Sequence, residues 1–139
     1  MSAENEVREA SDQFYVALNR LFNGNADSME AVWSHDSNVT ALHPIGGRTV
    51  GWDNVRESYQ DIAQIAEQGH VKLVDQIIHV SGDFAYEVGV DQGKAVFAGY
   101  QATLDYRVTN IYRREADGWK MVHRHTDTSQ AMLDVLNQT

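Results

Sequence analysis

A chain of 139 residues, 42% hydrophobic and 22% charged, has the composition of an ordinary folded domain, and the length suits one core burying roughly 68–70% of the unfolded surface. Twenty acidic side chains against eleven basic ones give a formal charge of −9, which repels phosphate backbones and anionic lipid and argues against nucleic-acid or membrane-surface partners. The lack of cysteine removes disulfides, thiolate nucleophiles and thiolate metal sites, and Met1-Ser2-Ala3-Glu4 leads into no apolar run of signal or membrane-spanning length. The chain is read as one cytoplasmic domain over residues 1–139.

Val7, Ala10, Phe14, Ala17, Leu18, Leu21 and Phe22 recur at three- and four-residue intervals and predict a first helix, stopped by Asn23-Gly24-Asn25. Asp27 and Glu30 resemble a capping box opening a short second helix that carries Met29, Val32 and Trp33 and ends near His35-Asp36. Asn38 to Leu42 predicts a short strand, ended by Pro44 and a Gly46-Gly47 loop. A third helix is expected from Trp52 to about Gln68, with Gly69 as its left-handed C-cap.

From His70 the residues become β-branched and aromatic. Ser81-Gly82-Asp83, Gln92-Gly93 and Asp117-Gly118 read as hairpin signals between strands near 71–80, 84–91, 100–113 and 119–127. Ser129 to Asn137 suits one or two helical turns. Helices first and antiparallel strands afterwards predict an α+β fold whose sheet curls around the helices and leaves a concave interior for a small molecule.

Strict alternation along the last strand puts Trp119, Met121, His123, His125 and Asp127 on one face. His125 and Asp127 then either line the cavity for proton transfer or form a hydrogen-bonded ladder on a wet face. In the preceding strand Tyr106, Val108, Asn110 and Tyr112 share one face and Asp105, Arg107, Thr109 and Ile111 the other, and alternation leaves open which looks inward. Arg107 is an anion clamp if inside and a cross-strand ion-pair partner if outside. His43, held in extended geometry before Pro44, has the fixity a general base needs, or it caps the turn. Trp33, Trp52 and Tyr15 either wall the pocket or belong to the core, and Asp36, Asp53 and Glu57 suit solvated or capping positions. His-x-His with a third histidine elsewhere is a weak metal pattern without supporting ligands, so no metal or other cofactor is expected. No phosphate loop, nucleophile elbow or dinucleotide fingerprint is present.

Two stretches carry a resemblance to a known superfamily. Ala41-Leu42-His43-Pro44-Ile45-Gly46, then Gly51 and a helix, resembles the segment of ketosteroid isomerases where the general base precedes Pro-x-Gly. Arg113-Arg114-Glu115-Ala116-Asp117-Gly118-Trp119, with His123-Arg124-His125, is similar to the end of the calmodulin-dependent kinase II association domain. Together they identify the chain with the nuclear-transport-factor-2-like superfamily, in its SnoaL-like and ketosteroid-isomerase-like branch. The resemblance implies a cystatin-like cone, in which a bent antiparallel sheet and three N-terminal helices surround a pocket, with homodimers formed through the sheet. It also implies His43 at the base position, with Tyr15 and Asn110 near the oxyanion-hole positions. Having His and Asn where the isomerases have aspartates argues against a steroid isomerase. Two functions stay open. One is a cofactor-free isomerase, cyclase or dehydratase acting on a carbonyl substrate, with Trp33, Trp52, Arg107, His125 and Asp127 contacting it. The other is a non-catalytic module that binds a small anion or assembles into oligomers.

Overall fold

The computed structural model describes residues 1–138. In chain order its elements are α1 (Ala3–Leu21), α2 (Met29–Val32), β1 (Thr40–His43), β2 (Gly46–Val50), α3 (Trp52–Ala63), β3 (Ala66–Ser81), β4 (Phe84–Phe97), β5 (Tyr100–Glu115), β6 (Gly118–Thr126) and α4 (Gln130–Leu136). The strands form one sheet in the order β2-β1-β6-β5-β4-β3, antiparallel throughout except where β1 runs parallel to β6. This is the expected α+β cone. No described helix is long and apolar enough to cross a membrane.

The predicted apolar stripe puts Val7, Phe14, Ala17, Leu18 and Leu21 of α1 in the core, and Ser2 Oγ caps the helix by accepting from the Asn5 N–H at 3.1 Å. Inside the curl, β4 presents Ala85, Glu87, Asp91, Ala95 and Phe97, all buried. The alanines leave room for α1 and for the two carboxylates between them.

Three local expectations are corrected. The Gly46-Gly47 loop is a strand, β2, paired with β1 through a turn at Pro44-Ile45. The third helix ends at Ala63, and Gly69 lies inside β3 because a Cβ there would stand 2.2 Å from Phe22 Cβ. Gln92-Gly93 makes no turn: β4 runs on to Phe97, and a Cβ at residue 93 would lie 1.8 Å from the His70 carbonyl oxygen. Both glycines serve close backbone approach rather than chain reversal.

The curl comes from bulges. The β3–β4 register shifts between Glu67 and His70 and between Val74 and Ile77, where Gln68 and Asp75 take positive φ of 52° and 56°. A further shift lies in β6: Ile111 faces His123 but Tyr112 faces Met121, so Val122 is an extra residue. Such insertions bend a strand and reverse its alternation beyond them.

Candidate functional site

Between α1, α3, the end of β1 and α4 lies a narrow cavity with an open mouth. Leu18, Leu21, Ile62 and Met132 supply much of its apolar wall, and its polar lining is His43, Ser58, Tyr59, Tyr106 and Arg124. The chain after β6 folds back over this end, the Ser129 N–H donating to the Pro44 carbonyl at 2.7 Å, and Ser129 Oγ caps α4 so that Met132 sits against the opening.

His43 projects inward at the last position of β1. Its Nε2 lies 2.9 Å from Ser58 Oγ, and its ring meets Tyr59 edge-on at 5.0 Å. Ser58 gives its single hydroxyl proton to the Val55 carbonyl at 2.6 Å, so the serine oxygen accepts from His43 and the imidazole proton resides on Nε2. The lone pair is left on Nδ1. Burial, aided by the positive charge of Arg124, lowers the His43 pKa from 6.5 to about 4, so the ring is neutral at ordinary pH.

Arg124 connects the cavity to a buried polar network. Its Nη2 donates to Asp91 Oδ2 at 2.6 Å, and its Nη1 donates to Asn110 Oδ1 at 3.1 Å and Tyr15 Oη at 3.3 Å. Tyr15 donates to Asp91 Oδ1 at 2.7 Å, while Asn110 Nδ2 donates to Tyr15 Oη and to Glu87 Oε1. Glu87 also accepts from Ser11, Tyr112 and Gln76. Burial raises the pKa of Tyr15, Tyr106 and Tyr112, so all three carry their protons.

Comparison with known families matches residues 7–129 to the SnoaL-like domain. The chain belongs to that family. Among curated proteins none matches. Among solved structures, this SnoaL-like domain is similar to a candidate dehydratase of the NTF2-like family from Streptomyces avermitilis, 25% identical over 92% of this chain and 96% of that one, with TM-score 0.79. It is also similar to a candidate calcium/calmodulin-dependent protein kinase type II association domain from Thiobacillus denitrificans, 29% identical over 88% and 94%, with TM-score 0.68. An NTF2-like superfamily protein from Salmonella enterica serovar Typhimurium shares the fold at TM-score 0.78 and 18% identity, over 91% of this chain and 92% of that one.

Within this SnoaL-like domain the residues singled out from sequence fall in different places. His43 lines the cavity. Tyr15 and Asn110 are buried in the network, where the tyrosine proton is given to Asp91 and both Asn110 N–H groups are engaged, so neither has a donor left for a ligand. Arg107, His125 and Asp127 lie on the outer face of the sheet, because the Val122 bulge turns Arg124 and Thr126 inward and the histidine outward. There Arg107 donates to Asp127 through Nε at 2.7 Å and Nη2 at 3.2 Å, the cross-strand pairing rather than the anion clamp. Trp33 is core, packed behind Tyr59 at 6.1 Å, and Trp52 stacks on His35 at 4.7 Å, so neither walls the cavity. Asp36 plays the expected capping part, accepting from the Asn38 N–H and pairing with Arg113.

Arg124, Tyr59 and Ser58 escape the sequence reading, which names Tyr106 only as part of a strand face left undecided. The adjacent apolar pair Met121-Val122 breaks strand alternation and is the one signal that would have pointed to Arg124. Among the described residues no group of three or more His, Asp or Glu side chains is close enough to hold a metal ion.

Proposed function

We propose that this SnoaL-like domain holds a small carbonyl-bearing molecule in the cavity and that His43 is its general base in a cofactor-free isomerase or lyase step. The observation carrying this reading is the tethered imidazole: Ser58 accepts from its Nε2–H, which leaves the lone pair on Nδ1, and His43 and Arg124 line the same cavity. The base takes a proton from the carbon beside the carbonyl onto Nδ1, and the electron pair moves to the carbonyl oxygen, where Arg124 stabilises the enolate. The same proton then returns to another carbon in isomerisation, or leaves with a β-hydroxyl group as water in dehydration. The similarity to a candidate dehydratase supports the second course. With a pKa of about 4 the imidazole is a weak base, so the step depends on enolate stabilisation by the cation.

A panel of small enolisable and β-hydroxy carbonyl compounds, scored by solvent deuterium incorporation and by water loss, tests this reading. His43→Ala is expected to abolish exchange, and kcat/KM is expected to fall on the acid side near pH 4 rather than 6.5. Turnover unchanged in His43→Ala defeats the proposal.

A second reading, an assembling module, is supported by exposed Ile77, Phe84 and Tyr86 on the outer sheet surface and by the likeness to a kinase association domain. A homodimer through this surface is expected, and light scattering on wild type and Tyr86→Lys checks it. A wild-type monomer sinks it.

A further inference from the structure

The outer face of the sheet, which the cavity chemistry does not use, mixes apolar side chains with histidines in cross-strand rows. Pairing sets His79 of β3 beside Tyr86 of β4, Tyr86 beside Ile111 of β5, and Ile111 beside His123 of β6, so an imidazole stands at each side of two apolar residues. The next row is Ile77, Val88, Thr109 and His125. The His79 ring lies 5.4 Å from that of Tyr86, and the His123 ring 6.2 Å from that of His125. Ile77 and Tyr86 are 63% and 43% exposed, so the centre of these rows is apolar surface left wet in a single chain.

The surrounding charges favour one occupant. Arg107 is paired with Asp127, and Arg113 with Glu115 and Asp36, so the arginines of this face are already matched. Two chains of −9 repel each other and meet with least repulsion through such a face, which suits a second copy packed sheet to sheet.

That packing would cover the histidines unequally in charge. His125 shares a groove with Asp75 and Asp127, two carboxylates that offset a positive ring. His79 has Tyr86 opposite it on β4, with Ile77 and Ser81 as its outward neighbours on β3. His123 has Thr40 of β1 on its Nδ1 and Ile111 of β5 on the other side, and the cations nearest in its rows are His125 and the matched Arg113. Protonating either His79 or His123 under cover would bury a charge with no carboxylate opposite. Burial and the neighbouring His125 already hold His123 below its ordinary pKa of 6.5.

We propose that the outer sheet face forms a homodimer that acid opens, with His79 and His123 as the groups that take up the proton. This rests on the assembling-module reading above and adds its regulation. As pH falls through the imidazole range the free chain binds protons that the covered pair refuses, so dissociation gains. Overall charge acts in the opposite sense, because acid reduces the −9 and the repulsion between copies. Loosening on acidification is therefore the mark of the covered imidazoles.

Sedimentation equilibrium at about pH 7.5 and pH 5.5, at one salt concentration and with circular dichroism as the check on folding, tests the proposal. Wild type is expected to be dimeric at the higher pH, with Kd at least tenfold larger at the lower. His79→Gln/His123→Gln is expected to dimerise with Kd values within about twofold of each other, and the exposed single change His79→Gln is expected to shrink the pH response even if the double variant fails to fold. A wild-type dimer indifferent to pH, or a full pH response retained in His79→Gln and in the folded double variant, overturns the inference and leaves the assembling reading standing. A wild-type monomer at pH 7.5 overturns both.

Discussion

Asp91 and Arg124 meet across the sheet at 2.6 Å, with 0% and 2% of their side chains exposed, and this pair decides where positive charge enters the cavity. Its surroundings satisfy both partners: Tyr15 donates to the second carboxylate oxygen and Asn110 accepts from the second guanidinium nitrogen. Breaking such a pair leaves an uncompensated buried charge, whereas an exposed pair is screened by water.

Asp91→Asn is therefore expected to cost about 3–5 kcal/mol in unfolding free energy, measured by urea titration followed by circular dichroism. Arg107→Gln, which removes the exposed partner of Asp127, is expected to leave the unfolding midpoint where it is. Equal effects from the two substitutions would show that the buried pair is not what anchors β4 to β6.

His43 makes stability depend on pH in a defined window. Above pH 6.5 the ring is neutral whether the chain is folded or unfolded. Between 6.5 and about 4 the unfolded chain takes up a proton that the folded ring refuses, so stability falls as pH falls, and below about 4 this group causes no further loss. The loss across the window is roughly 3 kcal/mol. His43→Gln is expected to flatten the profile between pH 4 and 6.5 in urea titrations, and an unchanged slope would contradict the burial of the ring.

The bulge at Val122 lets Met121 and Arg124 both face inward although they are three residues apart. Deleting Val122 leaves Met121 and Arg124 two positions apart, so plain alternation keeps both facing inward and only the local bend of β6 is lost. The deletion variant is expected to unfold cooperatively at a lower temperature than wild type, and loss of cooperative thermal unfolding would contradict the assignment of Val122 as the extra residue.

Gly93→Ala is expected to destabilise by about 3 kcal/mol, since the added carbon meets the His70 carbonyl at 1.8 Å and backbone cannot yield as a side-chain end does. Thermal unfolding checks this. A Gly82→Ala control, in a turn where the added carbon meets nothing within 4 Å, carries only the strain of its positive φ of 61°.

Much of the architecture is legible in the residues. The α1 stripe and the Ser81-Gly82-Asp83 and Asp117-Gly118 turns follow from side-chain periodicity and turn chemistry, which act within a few residues, whereas alternation groups Tyr106, Val108, Asn110 and Tyr112 on one face without deciding that it looks inward. The misread glycines at 69 and 93 look like punctuation in one dimension. Their purpose is room for Phe22 and His70, which arrive from other elements.

His43 could be singled out because its restraint is local: a proline follows it, and β1 ends there. The remainder of the site depended on register. One additional amino acid in β6 exchanged His125 for Arg124, placing the histidine and its aspartate neighbour outside and a guanidinium within. Tyr15 and Asn110 are buried, but their protons are committed to Asp91 and Glu87, four strand residues apart on β4, and not to a ligand. Composition and periodicity thus determined the helices, most strands and the existence of a hollow, because those are set by short-range geometry and the burial of apolar surface. Which charges line that hollow was decided only by tertiary structure, because a one-residue slip in pairing reverses a strand's faces at little local cost and leaves no periodic trace.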